Sequence, residues 1–173
     1  MATTSAYGAS AREIRELFGD YLDGGATRAA DAAADAAAGV DETPRPALAL
    51  SAAPLPDVAR SALEKSLAAF GFGDDACLFA TLAPHNPAAE GGDIRLDAQA
   101  LFLLVEGIDP LYVIATDEES AAALAAAYRT EFPLDAPIRA FGRPAAAFAN
   151  LSALLQTDAG KQKAWQVLKS LVA

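Results

Sequence analysis

The sequence predicts an α/β domain with a mostly parallel sheet covered by helices on both faces. Three observations point there. Apolar runs of strand length, at residues 47–52, 76–82 and 111–115, are separated by longer segments of helical periodicity. The runs are apolar at nearly every position rather than every second one, as expected of strands buried on both faces. The regular strand–helix alternation is the pattern of a parallel sheet built from crossover units.

Taken in order, Ser10 followed by Glu13 reads as a capping box. Ile14, Leu17, Phe18, Tyr21 and Leu22 then recur at helical spacing until Gly24-Gly25 stops the helix. An alanine tract at residues 26–39 has helix propensity but little to bury, and reads as a linker closed by the Pro- and acid-rich residues 41–46. Residues 1–45 are therefore expected to be an appendage to a domain spanning 46–173. Within the domain, residues 57–70 form a helix with Val58, Leu63, Leu67 and Phe70 on or near one face, stopped at Gly71-Phe72-Gly73. Asp97 caps a helix to Ile108 with Leu101, Leu104, Val105 and Ile108 inward, and residues 116–119 open another that runs to about Thr130. Asp158–Leu171 is a helix with Trp165, Leu168 and Leu171 as its apolar stripe. Residues 140–155 admit two readings: a helix starting at Pro144, which propensity favours, or a strand at 145–149 and a loop before Ser152.

Composition excludes several classes. The longest apolar stretches, residues 98–105 and 111–115, fall short of the roughly 20 residues of a membrane span. Residues 1–10 have no basic region followed by an apolar block, so no secretory signal and a cytoplasmic location are expected. One cysteine, Cys77, and one histidine, His85, are too few for an internal disulfide, a structural zinc or an iron–sulfur cluster, so no cofactor is expected. A net charge of −10 opposes a large phosphate-binding surface, although beyond Ile138 five basic residues face only one acid, Asp158.

Three segments, in order, resemble the uracil-DNA glycosylase superfamily, its family 4 and 5 members in particular, over residues 47–171. Leu63-Glu64-Lys65-Ser66-Leu67-Ala68-Ala69-Phe70-Gly71 is similar to the helix before the second strand. Ile108-Asp109-Pro110-Leu111-Tyr112-Val113-Ile114-Ala115 is similar to the "RP-x-x-I-V-A-L-G" strand. Asn150-Leu151-Ser152-Ala153-Leu154-Leu155, then Lys161, Trp165 and Leu168-Lys169, is similar to the "H-P-S-x-L-L-R … K … W … L-K" ending. The resemblance implies a three-layer α/β/α domain with four parallel strands in the order 2-1-3-4, residues 145–149 forming the last. Ligands would sit at the strands' carboxyl ends.

The catalytic motifs of that family are mostly replaced. The acid-bearing "G-E-A-P-G" corresponds to Ser51-Ala52-Ala53-Pro54-Leu55, where Ala52 cannot act as a base. The uracil-reading Asn falls at Ala80 or Thr81, and the catalytic His at Asn150, whose amide can donate a hydrogen bond to an oxyanion but carries no charge. The expected function is a divergent relative without glycosylase activity that acts as a binding or interaction protein, with a protein partner favoured over DNA and no membrane. The alternative is a DNA glycosylase with a rearranged site. It would use Phe79 or Phe148 to stack a flipped base, Asn150 to stabilise the leaving group and His85 as acid.

Candidate ligand contacts are Ser51, Pro54, Phe79, Thr81, Asn86 and Ser152, with Asn150 and His85 as catalytic candidates. Each has a plainer reading: His85 and Asn86 as exposed loop residues, and Ser152 as the N-cap of a helix at 153–157. Asp117, Glu118 and Glu119 read as helix-terminal acids rather than a cation site. Arg139 and Arg143 read as solvated, and Trp165 as core. A positive groove crossing residues 150–152 would mark nucleic acid, whereas an apolar or negative one would mark a protein partner.

Overall fold

The computed structural model describes residues 17–22, 46–84, 95–140 and 142–173. The expected strands form where the apolar runs lie: β1 Ala47–Ser51, β2 Cys77–Thr81 and β3 Tyr112–Ala115, the first two buried at every position. Helices α1 Asp57–Ala69, α2 Ala98–Ile108 and α3 Glu118–Tyr128 separate and follow them. Asp97 caps α2 by accepting from the Ala100 N–H at 2.8 Å. Beyond these lie β4 Ala136–Ala140, β5 Arg143–Ala147, the single turn α4 Leu151–Leu154 and α5 Asp158–Leu171.

The sheet has five strands in the order β2-β1-β3-β5-β4. All pairs are parallel except β4–β5, which is antiparallel. This corrects the four-stranded expectation in count and order. The added strand is the first arm of a hairpin whose reversal includes Gly142 at φ +81°, a backbone conformation glycine adopts without strain. The last parallel strand also starts two residues earlier than expected, at Arg143 rather than 145, and the helical reading of Pro144 gives way to it. Pro144 stands second in β5, near the strand start where a missing N–H is tolerated.

Two cores sandwich the sheet. Leu48, Leu50, Val113, Ala145 and Ala147 pack under α2 and α3 with Leu101, Leu104 and Leu124. Ala49, Phe79, Ile114, Ala146 and Phe148 pack under α1, α4 and α5 with Leu63, Leu67, Leu151 and Leu168. The expected apolar stripes need two corrections. Val58 is 70% exposed and Trp165 is 40% exposed, because the buried rows are Ala59-Leu63-Leu67 on α1 and Ala164-Val167-Leu168-Leu171 on α5. Both residues lie beside those rows rather than in them.

The Ser10–Glu13 capping box, Ile14 and the alanine tract lie outside the described residues. Of the remainder, Leu17 is exposed, Gly19–Tyr21 form a short 3-10 turn, and Leu22 is buried against β2, bridging Ala80 in antiparallel fashion. Among the described residues no helix is long and apolar enough to cross a membrane.

Candidate functional site

In an open parallel sheet, the loops leaving the strands' carboxyl ends form the usual ligand crevice. Here those ends are Ser51 on β1, Thr81 on β2, Thr116-Asp117 after β3 and Phe148-Asn150 after β5. The structure brings these segments together through hydrogen bonds that hold the edge of the sheet.

Asp117 is the centre of that network. One carboxylate oxygen accepts from the Ser120 N–H at 2.7 Å, completing a capping box on α3. The other accepts from the Ala52 N–H at 2.9 Å, tying the loop after β1 to the loop after β3. Asp117 also bridges Asn150, and the Glu118 N–H donates to the Ala149 carbonyl at 3.0 Å. Glu119 pairs with Arg95. Within the acidic run Asp117 thus caps the helix and Glu119 serves an ion pair, and among the described residues no group of three metal-ligating side chains comes together.

The amide oxygen of Asn150 accepts from the Ala153 N–H at 2.9 Å and caps α4. The expectation that Ser152 caps a helix at 153–157 is therefore corrected: the cap is two residues earlier, and Ser152 sits inside α4, half-buried. Ser51 and Thr81 are buried, Thr81 donating to the Ala83 carbonyl at 2.5 Å. Pro54 is exposed. Phe148 is fully buried in the core, and Phe79 is buried with the Arg60 guanidinium 4.7 Å from its ring centroid. Among the described residues no buried side-chain nitrogen or oxygen lacks a hydrogen-bond partner. His85 and Asn86 lie outside the described residues.

Arg143 is not solvated as expected. It opens β5 with its side chain only 13% exposed, donating to Glu106 at 2.6 Å and to Asp109 at 2.9 Å. Tyr128 donates its hydroxyl proton to the same Glu106 at 2.6 Å. Burial first, then the hydrogen bond and charge of Glu106, push the Tyr128 pKa far above its usual value. Burial opposes the Arg143 charge, but Glu106, Tyr128 and Asp109 outweigh it and hold its pKa above the usual value. Residues from β5, α2 and α3 meet in this cluster. Arg139, by contrast, is exposed and donates to the Gly142 carbonyl in the hairpin.

Sequence reasoning also missed a groove of about 460 Å³ between α1 and α5, with α4 at one end. Val58, Ala62 and Ser66 line it from α1, Leu151 from α4 and Leu155 from just after it, and Lys161, Gln162 and Trp165 from α5. Ser66 turns its hydroxyl back onto the Ala62 carbonyl at 2.8 Å, so that wall presents little polarity. The Trp165 ring lies against Phe70 with centroids 4.8 Å apart, which fixes one rim. In the fold, Val58 and Trp165 are apolar yet offset from the core row of their own helices, an offset that the apolar spacing in the sequence does not resolve. No protein-family model matches this sequence, and no curated protein matches it.

Proposed function

We propose that this chain is a protein-binding module on a scaffold that resembles uracil-DNA glycosylases, without glycosylase activity and without a cofactor. The observation that carries the reading is the apolar character of the groove where it reaches Leu151 and Leu155, the segment that in active glycosylases follows the catalytic histidine. Polar chemistry at the carboxyl edge of the sheet supports it further. Asp117 and Asn150 accept hydrogen bonds that cap helices, and the two phenylalanines suited to stacking a base are buried. Excision of a base requires a pocket for the flipped nucleotide and a group that stabilises the leaving base or the oxocarbenium ion. Neither Ala52 nor Ala80 provides one.

The test is single-turnover excision with excess protein on single- and double-stranded oligonucleotides bearing uracil or hypoxanthine, scored as strand breaks after alkali. The expected result is no excision. Cleavage that disappears in Asn150→Ala would overturn the proposal and place the chemistry on the loop after β5.

A further inference from the structure

The groove has a shape and a charge pattern that narrow its occupant. We infer that it receives an amphipathic helical segment of a partner protein, with acidic side chains flanking the segment's apolar face; this rests on the reading of the chain as a protein-binding module.

Length comes first. Helices α1 and α5 both follow parallel strands, so both start at the carboxyl edge of the sheet and descend the same face. The lining residues run from Val58 to Ser66 on one wall and from Lys161 to Leu168 on the other. At 1.5 Å per residue the walls are about 10.5 and 12 Å long. Apolar anchors at i, i+3, i+4 and i+7 of a docked helix span about 10.5 Å, which fits.

Chemistry comes second. The floor is Ala62, Leu63, Leu151 and Leu155, and the exposed rims are Val58 and Trp165. An indole held on one face by Phe70 and open on the other is the kind of side chain that anchors interfaces at little entropic cost. Buried apolar area would supply the affinity.

Charge comes third. Lys161 lines the groove, Lys65 follows Ala62 by three residues, and Lys169 follows Trp165 by four, so helical spacing places all three along its margins. Among the described residues Lys161 makes an exposed contact with Asp158 at 3.2 Å, an interaction that competes weakly with a partner. Lysines along the margins of an apolar floor, offset at Lys161 by its exposed contact with Asp158, favour a ligand that is acidic at its flanks and apolar at its centre. A polyphosphate backbone would meet too few cations here and too much surrounding negative charge.

Trp165 is the only tryptophan in the chain and reports occupancy directly. The probes are two synthetic helical peptides of about 14 residues with leucines at i, i+3, i+4 and i+7. One has glutamates and the other lysines at the flanking positions. The expected result is a saturable blue shift of Trp165 emission with the glutamate peptide and a weaker one with the lysine peptide. Lys161→Glu, a change at an exposed side chain whose fold is checked by near-UV circular dichroism, should weaken the glutamate peptide roughly fivefold and strengthen the lysine peptide. Val58→Asp, also at an exposed site, should weaken both by about tenfold or more. Absence of a shift with both peptides, or an unchanged preference in Lys161→Glu, overturns the inference. A shift produced instead by a single-stranded oligonucleotide of similar length overturns it in favour of nucleic acid. Base excision is silent in all these outcomes unless the wider reading itself fails, so the two failures are distinguishable.

Discussion

Arg139 and Arg143 are four residues apart and indistinguishable by residue type, yet the structure assigns them opposite weights. Arg143 is mostly buried among Glu106, Asp109 and Tyr128, while Arg139 lies on the exposed hairpin. Removing one partner of a buried ion pair leaves the other charge desolvated, which is the costly step. Arg143→Ala is therefore expected to lower stability by about 2–4 kcal/mol, and Arg139→Ala by less than about 0.5 kcal/mol, in urea unfolding. Equal effects would show that Glu106 finds compensation elsewhere. Tyr128 adds a pH dependence. Its pKa is raised in the folded state from the ordinary value of 10.0, so above about pH 10 the unfolded chain releases a proton that the folded chain retains. Stability from this group is fully present below that pH and declines above it. Wild type is expected to lose stability relative to Tyr128→Phe progressively as pH rises above about 10, the remaining tyrosines being common to both. Parallel stability curves would mean that the Tyr128 proton is not held by the fold.

Element-level reading of the sequence succeeded wherever burial and propensity agreed. Asp158–Leu171 is helical over the expected span, and the strands at 47, 77 and 112 lie within their apolar runs. It was ambiguous at β5, where Arg-Pro-Ala-Ala-Ala has helix propensity but forms a strand. Ala145 and Ala147 face α2 and α3, Ala146 faces α5, and all three are fully buried between the layers. Packing on two faces decides the conformation there, and no local signal reports it. β4 was missed for a different reason: its exposed positions, Pro137 and Arg139, read as loop chemistry. Glycine 160 shows the same priority of packing over propensity. Alanine is ordinarily favoured over glycine in a helix by about 1 kcal/mol. A Cβ at Gly160, however, would lie 1.8 Å from the Leu154 carbonyl oxygen, where the end of α4 rests on the first turn of α5. Gly160→Ala is thus expected to destabilise by about 2 kcal/mol and to shift Trp165 emission as the groove walls separate. An increase in melting temperature would refute the close α4–α5 contact.

At the scale of the molecule, the layered plan was legible because it follows from apolar runs alternating with amphipathic helices, whereas the functional surface was not. The carboxyl edge drew attention through residue types, Asn150 and Asp117 above all, but those types serve capping as well as chemistry, and only coordinates separate the two uses. The groove arises from two helices far apart in sequence, so no single segment announces it. The same non-locality governs how the sheet is closed. Its β2 edge would otherwise expose backbone groups and the core beside Ala80. Leu22, from a segment the sequence suggested was an appendage, covers that place and is 5% exposed in one cluster with Leu78 and Leu82. Five residues earlier, Leu17 is 72% exposed and buries little. If the segment belongs to the folding unit, Leu22→Ala should cost about 2–3 kcal/mol and Leu17→Ala less than about 0.5 kcal/mol, with both falling in the single cooperative unfolding transition. If residues 17–22 only rest on the domain, neither change will move the midpoint, and hydrogen exchange at β2 will be as fast with Leu22 as without it.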